Sequence, residues 1–156
     1  MARWHLTPAT RADIEALAAL EKRCFAWPWG RLSFEGEFDG RDGGGLVARA
    51  ADAEGDAPIA YLFYRFIADE VHIYRIAVSP EWRRRGIGLR LVGECLQRAR
   101  RRGVTAAVLE VRPSNTEAVA FYRRFGFQVI ATRPGYYSDS REDALILKLD
   151  MKEEDL

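Results

Sequence analysis

Cysteine, histidine and lysine are all scarce in this chain of 156 residues. Cys24 and Cys95 are the two cysteines, far apart and without a CxxC spacing, which excludes a disulfide framework. His5 and His72 stand alone, so no His, Cys and carboxylate cluster has metal-ligand spacing, and no metal is expected. Long apolar runs are missing as well. The longest, Pro58 to Tyr64, stops at Arg65, well short of the ~20 residues that cross a bilayer. Met1-Ala2-Arg3-Trp4-His5 lacks the apolar core of a signal peptide. These absences lead to the expectation of a cytoplasmic protein without a membrane partner. No serine sits in a nucleophile elbow, and no Gly-Lys-Ser/Thr marks a phosphate loop of the Walker kind.

The chain has 24 basic against 23 acidic residues, a net charge of +1, so direct nucleic-acid binding is not expected. The base is nonetheless lopsided: 21 of the 24 are arginine, eight of them between Arg83 and Arg102. An apolar fraction of 48% and a charged fraction of 30% suit a soluble globular chain. At this length a single domain over 1–156 is the expectation.

Ile14, Leu17, Ala18 and Cys24 recur with helical spacing, and Thr10 or Asp13 is placed to cap that helix. Trp27-Pro28-Trp29 interrupts it. A brief helix over 33–38 and a Gly-rich turn or loop at 40–45 follow. Residues 3–7, 46–51, 58–67 and 70–78 read as strands, with short links that suit antiparallel pairing. The helical pattern over 88–102 places Leu89, Val92, Leu96 and Ala99 on one face, with Gly103 as its C-cap. Strands at 105–111, 127–133 and 144–149 flank a helix over 115–125. The predicted fold class is α/β: a mixed sheet with an antiparallel N-terminal meander, then a parallel β-α-β unit and a C-terminal strand pair.

Three features carry chemistry. Arg83-Arg84-Arg85-Gly86-Ile87-Gly88-Leu89 follows a strand ending Ile76-Ala77-Val78 and opens a helix. Glycines and a helix start offer backbone N–H groups to an anion; the other reading is a solvated arginine-rich turn. A dinucleotide fingerprint fits poorly, because Leu91 takes the third glycine position and seven residues separate Val78 from Gly86. Glu110, alone among apolar strand neighbours, is either a general base raised by desolvation or a structural acid satisfied by Arg112. Tyr122 lies on the stripe Ala118, Phe121, Phe125, as a core aromatic or as a hydroxyl seeking a polar partner. Asn115 fits a helix N-cap.

Together, Ile76 to Gly88, Leu109-Glu110-Val111-Arg112-Pro113-Ser114-Asn115 and Ala120 to Phe127 resemble the GNAT acetyltransferase family over roughly 71–149. Within it, the chain is most similar to enzymes that acetylate the N-terminal alanine of a ribosomal protein. Tyr136-Tyr137 followed by Arg141-Glu142-Asp143-Ala144 is one further point of similarity, and Phe25-Ala26-Trp27-Pro28-Trp29 another. Arg75 departs from the asparagine common there. The resemblance implies acetyl-CoA as co-substrate, with Ile76, Ala77 and Val78 along the pantetheine arm. Arg83, Arg84, Arg85, Gly86, Ile87, Gly88 and Leu89 would surround the pyrophosphate, and Asn115 would contact the coenzyme further on. It also implies Glu110 as proton acceptor, Tyr122 as the acid, and Trp29, Tyr136 and Tyr137 on the acceptor. The implied partner is a protein N-terminus, that of a ribosomal protein. A small amine or a lysine side chain is the alternative acceptor. The acidic residues Glu35, Glu37, Asp39, Asp42, Asp139, Glu142 and Asp143 either face a basic peptide or form two solvated faces. The chain's own start, Ala2-Arg3-Trp4 after removal of Met1, makes self-acetylation a further expectation.

Overall fold

The computed structural model describes residues 3–40, 42–52 and 55–151; Ala2 and Arg41 lie outside them. Among the described residues, seven strands and four α-helices follow one another as β1 Arg3–Pro8, α1 Ile14–Cys24, α2 Arg31–Glu37, β2 Gly43–Asp52, β3 Gly55–Ile67, β4 Glu70–Val78, α3 Ile87–Arg101, β5 Ala106–Val111, α4 Thr116–Phe125, β6 Gln128–Arg133 and β7 Ala144–Asp150. The strands form one sheet in the order β1-β2-β3-β4-β5-β7-β6. The pair β4–β5 is parallel, with a register running from Glu70–Ala106 to Ile73–Leu109. The pairs β1–β2, β2–β3, β5–β7 and β6–β7 are antiparallel. This is the expected mixed α/β sheet, with β7 inserted between β5 and β6.

By contacts the chain divides into two compact units, Met1–Arg65 with Tyr74–Gln97 and Phe66–Ile73 with Arg98–Leu156. In the first, Ile14, Leu17 and Leu20 of α1 and Phe34 of α2 bury against Val47, Tyr61, Phe63 and Ala77. Each such apolar side chain contributes about 1.5–3 kcal/mol, so this cluster fixes α1 on its strands. Asp13 closes the helix entry: its carboxylate accepts from the Thr10 amide at 2.9 Å and from two Arg49 nitrogens at 2.9 and 2.8 Å. Burial pushes the Asp13 carboxyl up, but those hydrogen bonds and the Arg49 charge outweigh it and hold it below its ordinary value.

Two expectations are corrected. Gly43, Gly44 and Gly45 are not loop; they pair with Arg65, Tyr64 and Phe63 as the start of β2. A Cβ at Gly44 would sit 2.6 Å from Tyr64 Oη, and one at Gly45 would sit 2.6 Å from Phe63 Cε1. Glycine is there to let two aromatic rings lie over the strand. In α3, Leu89 is 57% exposed, and the buried positions are Ile87, Leu91, Val92, Cys95, Leu96 and Ala99. The helix starts at Ile87; Val92, Leu96 and Ala99 lie on the expected buried face, Leu89 does not, and Ile87, Leu91 and Cys95 complete that face.

In the second unit, α4 starts on Asn115, whose Oδ1 accepts from the Ala118 amide at 3.2 Å, and ends at Gly126 with φ 103°. That left-handed residue lets the Phe127 amide reach the Tyr122 carbonyl at 3.2 Å. Among the described residues, no helix is long and apolar enough to cross a membrane.

Candidate active site

The first unit carries the glycine-containing loop. Arg84 has φ 62° and Gly86 φ 81°. A non-glycine residue in that region is uncommon and is retained where the surroundings demand it. The two left-handed residues turn the chain sharply from the end of β4 into α3, whose first turn closes with Arg90 N to Gly86 O at 3.1 Å. The amides ahead of Arg90 have no intrahelical acceptor and lie at the positive end of the helix dipole. Arg83, Arg84, Arg85 and Gly86 are exposed, Gly88 is half-buried and Ile87 is buried. Arg85 stacks on Trp82 at 4.6 Å and donates to the Glu81 carbonyl. Arg23 and Ser79 bind the Glu81 carboxylate and hold its pKa below the ordinary value, the Ser79 hydrogen bond most of all.

At the end of β4, the Val78 carbonyl accepts from Arg83 Nε at 3.0 Å and from the Cys24 thiol at 3.6 Å. Burial pushes that thiol's pKa up despite the neighbouring Arg83, which favours the protonated thiol. A cavity of about 440 Å³ in this unit is bordered by Ala16, Ala19, Ile59, Trp82 and the Arg23–Glu81 pair. It contains none of the expected site residues.

Sequence reasoning missed one cluster here. Glu21 is fully buried, and its carboxylate accepts from Tyr61 Oη, from the Trp29 amide at 2.6 Å and from two nitrogens of Arg75. Burial, then the carboxylate beside it, drives the Tyr61 hydroxyl's pKa well above its ordinary value. Arg75 in turn lies 3.8 Å over the Phe25 ring and 5.2 Å over Trp29. A signal was present, since Glu21 stands at helical spacing on the stripe of Ile14, Leu17 and Cys24.

The second unit carries the acids and tyrosines. Every residue of β5 is buried except Glu110, which is half-buried. Its carboxylate makes no hydrogen bond or ion pair to the described residues, because Arg112 is committed elsewhere. Arg112 pairs with Asp139 at 2.6 Å, donates to Ser140 Oγ at 2.7 Å and lies 3.8 Å over the Tyr137 ring. Glu142 accepts from the Ser114 amide at 3.1 Å, and Tyr137 N donates to the Glu142 carbonyl at 3.1 Å. The structure therefore joins the turn after Glu110 to the segment bearing Tyr136 and Tyr137, whose rings meet edge-on at 5.0 Å. Tyr122 is 4% exposed, edge-on to Phe121 and Phe127 at 5.2 and 5.5 Å. Asn115 is exposed at the start of α4.

The acidic residues read as a basic-peptide face or as solvated faces are largely committed inside the chain. Glu35 pairs with Arg31, Glu37 with Arg65, and Asp39 with Arg11. Asp139 and Glu142 pair with Arg112, and Asp143 accepts from the Gly135 amide.

Residues 14–127 match the acetyltransferase (GNAT) family. The chain belongs to the GNAT acetyltransferases. It is an enzyme of that family, and within it the chain resembles RimI. The [ribosomal protein bS18]-alanine N-acetyltransferase of Escherichia coli K12 is 32% identical over 139 residues, 88% of this chain and 90% of that one. The N-alpha-acetyltransferase RimI of Mycobacterium tuberculosis is 36% identical over 152 residues, 90% of this chain and 89% of its own. Among solved structures, the E. coli ribosomal-protein-S18-alanine N-acetyltransferase superposes with a TM-score of 0.83 at 30% identity, over 99% of each chain. Arabidopsis thaliana NAA60 in complex with acetyl-CoA shares the fold, with a TM-score of 0.83 at 18% identity over 95% of this chain and 98% of that one.

Proposed function

We propose that this enzyme moves the acetyl group of acetyl-CoA directly onto a protein N-terminal α-amine, that of an alanine on a ribosomal protein in the cytoplasm. The observation that carries the reading is Glu110, a half-buried carboxylate without a partner among the described residues, on a strand otherwise closed to water. It has the character of a general base. The two bacterial relatives named for N-terminal acetylation support the choice of an α-amine.

In this reading Ile76, Ala77 and Val78 align the pantetheine arm. The amides from Gly86 to Leu89 take the pyrophosphate, with Arg83, Arg84 and Arg85 adding charge around it. Asn115 contacts the coenzyme further on, and Trp29, Tyr136 and Tyr137 hold the acceptor. The neutral amine attacks the thioester carbonyl carbon, and the amide of Val78 stabilises the oxyanion. Glu110, directly or through a water, takes the proton released from the attacking nitrogen. The C–S bond then breaks, and Tyr122 gives its proton to the departing thiolate, leaving an acetylated amine and free CoA. An α-amine has a pKa of about 7.7–8.0 and is partly neutral at physiological pH, so one carboxylate is base enough, whereas a lysine near ~10.4 asks for more. A small amine is the second reading, favoured by the internal pairing of the acidic residues, which leaves less charge for a basic peptide.

The test is Glu110→Gln and Tyr122→Phe assayed across pH. Each is expected to lower kcat on the order of 10²-fold with the KM for acetyl-CoA unchanged, and Glu110→Gln to lose most at low pH. Full activity in both variants would overturn the assignment.

A further inference from the structure

The Glu21–Arg75 cluster holds more of the 25–30 loop than packing requires. Glu21 receives the Trp29 amide at 2.6 Å, Arg75 Nη2 lies 3.4 Å from the Trp27 carbonyl, and the Arg75 guanidinium lies over the Phe25 and Trp29 rings. Three residues of one short loop are thus tied, by amide, carbonyl and ring face, to a single ion pair. The loop itself is open: Trp27 is 53% exposed, and Ala26, Pro28 and Gly30 are exposed. An exposed, aromatic segment ordered from beneath by an ion pair with a fully buried carboxylate has the build of a recognition surface held in one shape before the ligand arrives.

We infer that Glu21 and Arg75 are a positioning pair for the acceptor, fixing the 25–30 loop in the conformation that receives the acceptor's first residues. The inference rests on the assignment of Trp29 to the acceptor. The pair touches no reacting atom, so its loss acts on acceptor binding and not on the thioester. A lysine does not substitute, because the anchor depends on a planar fork that spans one carboxylate and stacks on two rings at once.

Two variants make the test: Arg75→Lys, and the double variant Glu21→Gln/Arg75→Gln. The second removes both charges and so avoids the penalty of stranding one buried ion. With an Ala-Arg-Tyr peptide and acetyl-CoA, both variants are expected to raise the acceptor KM on the order of tenfold. The KM for acetyl-CoA is expected to stay within about twofold. Chymotrypsin is expected to cut after Phe25 and Trp29 faster than in the parent, at a temperature where both variants remain folded by near-UV circular dichroism. An unchanged acceptor KM in Arg75→Lys, or both KM values rising together, overturns the inference, as does unchanged digestion in both variants. Failure of the N-terminal reading shows differently: the parent enzyme itself leaves the peptide unacetylated, whereas the digestion still reports on the anchor.

Discussion

Arg112 lies 3.8 Å over the ring of Tyr137 while pairing at 2.6 Å with Asp139. One side chain, two positions beyond Glu110, thereby fixes the tyrosine-bearing segment. Arg112→Met is expected to free that segment. Proteolysis between Gly135 and Arg141 should quicken, and the acceptor KM should rise by about tenfold, the scale of a lost charged hydrogen bond. The KM for acetyl-CoA should not change.

Acid should loosen the same segment late. Arg112, before the Ser140 contacts, holds the Asp139 carboxyl below its ordinary 3.8. A depressed carboxylate contributes stability above its unfolded value and loses it as pH falls through the folded one. The segment is therefore expected to stay ordered through pH 4 and to become protease-sensitive only below the usual carboxylate range. Asp139→Asn should remove that pH dependence and be sensitive throughout.

The Asp13–Arg49 pair makes a parallel prediction for global stability. Its side chains are 9% and 16% exposed, so breaking it by Asp13→Asn should cost about 3 kcal/mol at pH 7. The folded value lies below 3.8, and the gap between parent and variant should narrow as pH falls through that folded value. Urea unfolding at several pH values measures it.

Gly45→Ala tests the reading of the glycine run. A Cβ there meets Phe63 Cε1 at 2.6 Å and Ala9 Cβ at 2.9 Å, so strand and ring must part. Overpacking of this kind costs about 1–3 kcal/mol. Gly40→Ala, with nothing within 4 Å of the added atom, should be close to neutral by thermal melt.

Helices with a clean apolar period were legible in the sequence, as were strands bounded by turn residues. Asn115 and Gly103 sit where local chemistry alone requires a cap, and each is read without knowing the fold. Gly43–Gly45 could not, because a glycine run reads as a turn until the rings of Phe63 and Tyr64 are known to lie over it. Nor could Leu89: its spacing to Val92 and Leu96 is helical, and only the fold shows that the buried face runs through Leu91 and Cys95 and leaves Leu89 exposed. Among the proposed site residues, Glu110 and Tyr122 stand out by residue type among apolar neighbours. Glu21 passed as an ordinary charge on α1, because its partners Arg75 and Tyr61 are 54 and 40 residues away, and only the fold brings them together.

The most direct test of the central claim is a competition for acetyl-CoA among equimolar acceptors, read by mass spectrometry. The set holds an Ala-Arg-Tyr peptide, a Met-starting peptide, an N-blocked lysine peptide, spermidine and an aminoglycoside. Preferential acetylation of the alanine peptide on its α-amine is the predicted result. Preferential acetylation of spermidine, the aminoglycoside or the lysine side chain would contradict it.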